Sequence, residues 1–230
     1  SGHCWLVPNV ILYDRPTNGW FNNEFHKAGL VMLGNLDNDV EGMDLKKKGV
    51  KTSAWTFWPR RPYVVETMLE KEGILEWDKR DIESIFVGNF ENKVQEKYRK
   101  TDDEWESVLD VYHCTECKKH KFTQEEYLGM LRRSKYGLCI RGYGKKCHRE
   151  VECMAWGTVP IITNDVCISS YINPPKEGVH YMRAHDREDM RRKLAGVRPE
   201  RWKKMSEACV EWYKENVHSE GSWNTTIKQI

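Results

Sequence analysis

Short apolar runs alternate with amphipathic helical patterns along this chain. The runs PNVILYD (8–14), SIFVGN (84–89), KYGLCI (135–140) and TVPIIT (158–163) have the length and composition of buried strands. TQEEYLGMLRRS (123–134) instead has apolar residues at helical spacing behind a capping threonine. Strands that alternate with helices pair in parallel and are covered by helices on both faces. The sequence therefore predicts an α/β fold.

The alternation divides into two units. We predict a helix over EFHKAGLVML (24–33) and a strand over GVKTSAWTFWP (49–59). The polar stretch EWDKRDIES (76–84) separates them from a fresh strand–turn–helix unit. We therefore predict two Rossmann-like domains that face a cleft, over residues 1–80 and 81–230.

The composition favours a soluble globular protein. The chain of 230 residues has a net charge of +2 and 31% charged residues, whereas nucleic-acid binders more often have a strong basic excess. No apolar run approaches the ~20 residues of a membrane span, and no signal peptide is visible. Cys139, Cys153 and Cys209 lie at apolar positions where free cysteine is common. We expect a soluble, cytoplasmic protein that binds no nucleic acid, and removal of a targeting segment stays an open alternative.

The stretch RGYGKKCHREVECMAWGTVPII (141–162) combines the features of an anion site. It follows the predicted strand 135–140, and ligands of parallel sheets bind beyond the carboxyl ends of the strands. Its glycines let backbone amides approach a ligand closely, and a helix predicted from about Lys146 presents free N–H groups. Glu152 follows Arg149 by three residues and is placed to accept hydrogen bonds from ribose hydroxyls. The stretch predicts a nucleoside diphosphate site made of Arg141, Gly142, Tyr143, Gly144, Lys145, Lys146, Arg149 and Glu152. The alternative is that Arg149 and Glu152 only pair on a solvated helix face.

EEYLGMLRRSKYGLCIRGYGKKCHREVECMAWGTVPII (125–162) resembles the core motif of the exostosin-like glycosyltransferases. The residues that match are Tyr127, Leu131, Ser134, Tyr136, Leu138, Gly142, Gly144, Arg149, Glu152, Gly157 and Pro160. The resemblance is clear over about residues 84–185 and faint before them. It implies a GT-B fold, a UDP-sugar donor held by the second domain, inversion at the anomeric carbon, and no metal or other cofactor. It also implies that the last helix, from Pro199, crosses back to the first domain through Trp212 and Tyr213.

The chain departs from the family pattern in several places. Arg141 stands where the family tends to have Pro-Arg, His148 replaces a frequent serine, and the first domain is short. The size resembles that of the compact members encoded by large algal viruses, which implies a viral protein of the host cytoplasm. The resemblance implies a glycan acceptor, and xylose or another pentose is one option for the sugar.

An inverting transferase needs a base that removes the proton of the acceptor hydroxyl. Because the donor is expected on the second domain, the base is expected on the first. Asp14 is the carboxylate that ends the predicted strand 8–14, before the flexible turn RPTNGW. His26 and Glu24, in or near the predicted helix that follows, are the alternatives.

Further polar groups have two interpretations each. Lys93 and Arg99 lie near the start of the second domain, where one of them reaches the diphosphate or both form a solvated basic face. The residues around His113 form a loop over the uracil base, or HCTECKKH (113–120) supplies half of a zinc site. DND (37–39) is similar to the metal motif of GT-A transferases but follows a predicted helix, which favours a loop.

These interpretations leave three classes of function. We predict an inverting, metal-independent glycosyltransferase. The alternatives are a catalytically silent module that binds a nucleotide sugar or a glycan, and a zinc-dependent interaction domain built on 113–120.

Overall fold

The structure is a computed structural model. It describes residues 10–13, 30–33, 49, 51–54, 56, 58–91, 93–99, 105–116, 120–142, 144–169 and 171–228. The strands are β1 Val10–Tyr13, β2 Leu30–Leu33, β3 Thr52–Ala54, β4 Ile82–Asn89, β5 Val111–Thr115, β6 Ser134–Cys139, β7 Val159–Thr163 and β8 Met182–Ala184. The helices are α1 Pro62–Glu72, α2 Lys93–Arg99, α3 Gln124–Arg133, α4 His148–Ala155, α5 Arg187–Ala195, α6 Pro199–Asn216 and α7 Ser219–Ile227.

A five-stranded parallel sheet in the order β5-β4-β6-β7-β8 forms the main part of the structure. β4 is followed by α2 and β5 on one side, whereas β6 is followed by α4 and β7 on the other. The crossovers therefore diverge between β4 and β6, which opens a crevice at the carboxyl ends of these two strands. The predicted α/β class and its parallel pairing are confirmed.

Both faces of this sheet are buried. On one face, Ile85, Cys139 and Ile162 pack with residues of α1, α3 and α4 in one apolar cluster. On the other, Leu138 and Ile161 pack with Met190 of α5 and with Trp202 and Met205 of α6 in a second cluster. Neighbouring residues of a strand point to opposite faces, so this division follows directly from the strand sequences.

The strands β1, β2 and β3 form a separate three-stranded parallel sheet. The helix predicted over 24–33 is wrong for Leu30–Leu33, because these residues pair with Val10–Tyr13 as a strand. An apolar run of four residues has no periodicity that separates helix from strand. The domain boundary near residue 80 stays a prediction.

The carboxyl-terminal helices contact both early and late parts of the chain. The indole N–H of Trp212 donates to the carbonyl oxygen of Asn173 at 2.8 Å, and its ring stacks on Tyr171. Contacts with residues before 81 come from both ends of this region, since the Trp202 ring of α6 packs against Trp77 at 5.3 Å between centroids and the Ser219 amide donates to Glu66 of α1 at 2.9 Å. Tyr213 shares an apolar cluster with Val64 and Val65 of α1. The crossing of the last helix onto a first domain stays a prediction.

Candidate functional site

A cavity of about 680 Å³ opens at the carboxyl ends of β4 and β6. Val87, Gly88 and Asn89 line it from the end of β4, and Gly142 and Gly144 line it from the turn after β6. The cavity therefore lies at the crevice where the crossovers diverge, the position at which open α/β sheets bind their ligands.

Arg149 of α4 is a buried cation that lines this cavity. Its Nη2 donates to the carbonyl oxygen of Val87 at 2.7 Å, and its guanidinium lies 4.4 Å from the centroid of the Phe86 ring. The other two nitrogens, Nε and Nη1, are buried and bond to no residue that the structure describes. Burial lowers the pKa of this guanidinium, but acidic groups around it, Tyr127 first, raise it above its ordinary value. Arg149 is therefore charged at every physiological pH.

Arg99 of α2 lies beside Arg149. It is 6% exposed, and its Nη1 and Nε donate to the carbonyl oxygens of Asn89 at 2.5 Å and of Arg141 at 3.2 Å. Burial, and then the charge of Arg149, lower the pKa of Arg99, which indicates that the two cations repel each other. Within the described chain, no carboxylate lies at ion-pair distance from either guanidinium. Two buried guanidinium groups without an ion-paired carboxylate in the described chain favour an anionic ligand.

Two glycines leave the space that the guanidinium groups of Arg149 and Arg99 occupy. A Cβ on Gly88 would lie 2.9 Å from Nη2 of Arg149, and a Cβ on Gly142 would lie 2.9 Å from Nη2 of Arg99. Any side chain at either position would therefore push against a guanidinium. This close approach gives two glycines a physical role in the cavity.

The amino end of α4 is partly capped by its own residues. The Cys147 amide donates to Glu150 Oε2 at 3.0 Å, and the Glu150 amide bonds to the Cys147 side chain, which completes a capping box. Two of the N–H groups at this end are therefore already bonded within the protein. Glu150 is fully buried, and burial raises its pKa to about 7. Burial also raises the pKa of the Cys147 thiol to about 11.

Glu152 lines the cavity one turn after His148, but it is not an isolated carboxylate. Its Oε1 accepts the backbone N–H of Arg60 at 2.9 Å. The carbonyl oxygen of Arg60 accepts a hydrogen bond from the side-chain amide of Gln124. The Nη1 atom of Arg60 lies 2.8 Å from Nε2 of His120. Among the described residues, Glu152 Oε2 accepts no hydrogen bond. One carboxylate oxygen thus holds segment 58–61, and the other is available to a ligand.

The segment 58–61 is held close to α3 and α4 just before α1 begins. Arg61, its last residue, has φ +49°, a left-handed conformation that is uncommon outside glycine. The contacts of Arg60 with both helices, described above, hold the backbone in this conformation. Trp58 at the other end accepts a hydrogen bond from His148 of α4.

The β5 side of the cavity carries imidazoles and an aromatic ring. His113 packs edge-on against Phe122 at 5.1 Å, and its Nδ1 lies 3.4 Å from Lys121 Nζ. Burial, and then Lys121, lower the pKa of His113. Burial, and then Arg60, lower the pKa of His120. Both imidazoles therefore favour the neutral form, which suits them to hydrogen bonds with a polar ligand.

The structure brings together part of the predicted site. The predicted residues that line the cavity are Arg99, His113, Gly142, Gly144, Lys146, Arg149 and Glu152. The lining found among the described residues does not include Arg141, Lys145 or Lys93. Arg141 stacks 4.9 Å from the centroid of the Tyr98 ring, Lys145 accepts the Cys167 amide through its carbonyl oxygen, and Lys93 is exposed.

Several predictions concern residues outside the described part of the chain. They are the base candidates Asp14, Glu24 and His26, the ligand residue Tyr143, the loop DND at 37–39, and Cys117 of the zinc interpretation. In the part of the chain that the structure covers, no group of three or more His, Cys, Asp or Glu side chains is arranged to hold a metal ion. The six cysteines it describes are unpaired.

Sequence reasoning missed the cavity residues that lie far away along the chain. Arg60 lies 92 positions before Glu152 and 64 before Gln124. No local pattern reports such contacts. The only local indication that Arg60 belongs to a site is the sequence PRRP (59–62), in which two arginines lie between prolines.

Comparison of the sequence with known protein families and with curated proteins finds no match. Among the described residues, no helix is both long and apolar enough to cross a membrane. A function for this chain therefore has to be inferred from its fold and from the geometry of the cavity.

Proposed function

We propose that this chain is an inverting glycosyltransferase that uses a nucleotide sugar, with a UDP-sugar as donor and a glycan hydroxyl as acceptor. The single observation that carries the proposal is the pair of buried guanidinium groups, Arg99 and Arg149, without a carboxylate partner in the described chain. They lie at the crevice between β4 and β6, where a parallel sheet binds its ligand. A diphosphate supplies the negative charge that this position lacks.

The remaining cavity residues suit the other parts of a nucleotide sugar. Oε2 of Glu152 has the acceptor character that ribose hydroxyls need. His113, Phe122 and Gln124 line the β5 side and offer a ring surface and hydrogen-bonding groups to a base. The resemblance of 125–162 to exostosin-like transferases supports the same assignment, since Gly142, Gly144, Arg149 and Glu152 of that motif all line the cavity.

The chemistry follows from this charge distribution. Arg99, Arg149 and Lys146 supply the positive charge that a leaving diphosphate requires, so we propose transfer without a metal ion. Removal of the acceptor proton is assigned to Asp14, with Glu24 and His26 as alternatives. A GT-B arrangement, with residues 1–80 on the acceptor side and a crossing last helix, is part of the same proposal.

The test is a panel of UDP-, GDP- and dTDP-sugars, screened by the shift in melting temperature and then by release of the nucleoside diphosphate. We expect stabilisation by UDP and UDP-sugars, because a bound ligand raises stability by RT ln(1 + [L]/Kd). Slow UDP release from the preferred donor identifies a transferase, and binding without release identifies a silent binding module. Chelator should leave UDP release intact. A protein that no nucleotide sugar stabilises would contradict the proposal.

A further inference from the structure

Tyr127 of α3 has a hydroxyl that no group of the described chain satisfies. Its ring packs against the apolar cluster that α1, α3 and α4 form with one face of the sheet, and the residue also lines the cavity. A tyrosine hydroxyl in such a position usually has a hydrogen-bond partner. That of Tyr112, for example, donates to the carbonyl oxygen of Arg99 at 3.2 Å. The hydroxyl of Tyr127 bonds to no residue that the structure describes, which leaves it available to a ligand.

The position of Tyr127 on its helix places it in the same part of the cavity as Arg149 and Glu152. Tyr127 follows Gln124 by three residues, so the two share one face of α3. The side chain of Gln124 donates to the carbonyl oxygen of Arg60, whose amide donates to Glu152. Arg149 and Glu152 are also three residues apart and share one face of α4, against which α3 packs. These two helix faces therefore form one wall of the cavity.

The environment of the phenol keeps its proton in place. Burial, and then the charge of Glu152, raise the pKa of Tyr127 well above its ordinary value, whereas Arg149 lowers it to a smaller extent. The phenol is therefore neutral at every physiological pH, and its hydroxyl can donate a hydrogen bond. The influence of both charged side chains indicates that the hydroxyl lies near each of them.

We propose that the hydroxyl of Tyr127 donates a hydrogen bond to the bound nucleotide sugar, at the phosphate next to the ribose. This inference rests on the proposed function, in which Arg149 binds the diphosphate and Glu152 binds the ribose. A hydroxyl near both side chains meets the phosphate that links these two parts of the ligand. Hydrogen bonds to a charged phosphate oxygen are among the stronger ones in proteins. Tyr127 is thus a binding residue that adds a neutral donor to the two cations.

The substitution Tyr127→Phe removes this hydroxyl and keeps the ring. Its matched control is Tyr136→Phe in β6, because the Tyr136 hydroxyl is also without a hydrogen-bond partner in the described chain and lies outside the cavity lining. The measurement is calorimetric titration of both variants and the unmodified protein with UDP, UMP and 2′-deoxy-UDP. We expect Tyr127→Phe to bind each nucleotide about tenfold more weakly than the unmodified protein does, because one charge-assisted hydrogen bond is lost. Tyr136→Phe should bind each of them as the unmodified protein does.

Unfolding in denaturant without nucleotide separates a binding role from a structural one. Neither hydroxyl bonds to a residue of the described chain, so its removal should leave the free energy of unfolding unchanged or raise it. A purely structural role of Tyr127 would instead lower the stability of Tyr127→Phe and leave the UDP affinity of the folded protein unchanged. At one fixed UDP concentration, Tyr127→Phe should gain less stability than the unmodified protein and the control.

The results that would contradict the inference differ from those that would contradict the proposed function. UDP and UMP affinities of Tyr127→Phe equal to those of the unmodified protein would overturn the inference and leave the proposed function standing. A loss that disappears with 2′-deoxy-UDP would assign the hydroxyl to the ribose, and a loss with UDP but not with UMP would assign it to the outer phosphate. Either result would overturn the inference as stated. An unmodified protein that binds no UDP would contradict the proposed function and this inference together.

Discussion

At the scale of single residues, the cavity is defined by side chains whose bonding is incomplete. Arg149 uses one nitrogen on the strand-end carbonyl of Val87 and leaves two without a partner in the described chain. Glu152 uses one oxygen on the Arg60 amide. An unsatisfied buried polar group costs about 1–3 kcal/mol, so a ligand that completes these bonds gains most of that free energy.

The substitution Glu152→Gln tests the hydrogen bond that we propose between Glu152 and the ribose of the nucleotide. Glu152→Gln keeps the shape of the side chain but removes the charge that strengthens a hydrogen bond to a hydroxyl. We expect UDP to bind roughly tenfold more weakly, because hydrogen bonds to charged groups contribute about 1.5–3 kcal/mol. Titration with UDP and with 2′-deoxy-UDP measures the coupling. An equal loss for both nucleotides would show that Glu152 does not contact the 2′-hydroxyl.

At the scale of elements, the end of β4 has to leave room for the guanidinium of Arg149. In Gly88→Ala, the new Cβ would lie 2.9 Å from Arg149 Nη2 and 2.9 Å from Phe86 Cζ. We expect UDP affinity to fall about tenfold, because the displaced guanidinium loses a charge-assisted contact.

The control for this variant is Gly129→Ala in α3, where no atom lies within 4 Å of the new Cβ. An alanine inside a helix should raise the free energy of unfolding by up to about 1 kcal/mol, with UDP affinity unchanged. Denaturant titration measures the first effect and calorimetry the second. Normal UDP binding by Gly88→Ala would show that the position of Arg149 does not matter to the ligand.

The first turn of α4 predicts a pH dependence of stability. Burial raises the pKa of Glu150 from 4.5 to about 7. Between these values the folded protein binds more protons than the unfolded chain, so the contribution of Glu150 is present below about pH 4.5 and is lost as the pH rises through about 7. The loss amounts to about 3 kcal/mol.

Glu150→Gln should remove this part of the pH dependence. The check is the free energy of unfolding, measured in denaturant from pH 5 to pH 8 for the unmodified protein and the variant. If both proteins lose the same stability over that range, Glu150 does not titrate as its burial implies.

The elements also show how far the sequence predicts the fold. The strand over 84–89 and the helix behind Thr123 follow from apolar spacing and a capping threonine, and both are present. The structure adds α5, which the sequence did not indicate. Its segment REDMRRKLA is so rich in charge that only Asp189 and Met190 are buried, so almost no apolar stripe marks it.

At the scale of the whole molecule, a buried arginine joins several parts of the chain. Arg80 precedes β4 and is 4% exposed. Its guanidinium donates to the carbonyl oxygens of Leu75, Ser134 and Trp156 and lies 4.8 Å from the centroid of the Trp202 ring. Burial lowers its pKa to about 10, so it stays charged at neutral pH.

Arg80→Met should destabilise the protein by several kcal/mol. The substitution removes the guanidinium donor from the carbonyl oxygens of Leu75 and Trp156, while that of Ser134 still accepts from the Thr158 hydroxyl. Each unsatisfied buried group costs about 1–3 kcal/mol. The measurement is the midpoint of denaturant unfolding, with the exposed Lys79→Met as matched control. A midpoint equal to that of the control would show that water or neighbouring groups replace the guanidinium.

The sequence predicts only those parts of the site whose residues lie close together along the chain. The turn 141–147 and α4 lie next to each other along the chain, so glycines, a helix start and a carboxylate could be read in order. The contacts of Arg99 with Arg141, and of Arg60 with Glu152, exist because α2, the turn after β6, segment 58–61 and α4 meet at one end of a sheet. Sequence spacing carries no information on that meeting.

The most direct test of the proposed function is calorimetric titration of UDP into the unmodified protein, Arg149→Ala and Arg201→Ala. Arg201 is an exposed arginine of α6 and does not line the cavity that the described residues form. We predict that the unmodified protein and Arg201→Ala bind UDP alike, and that Arg149→Ala binds about 10- to 100-fold more weakly, the equivalent of 1.5–3 kcal/mol. Equal UDP affinity of Arg149→Ala and the unmodified protein, or no UDP binding by either, would contradict a diphosphate site between β4 and β6.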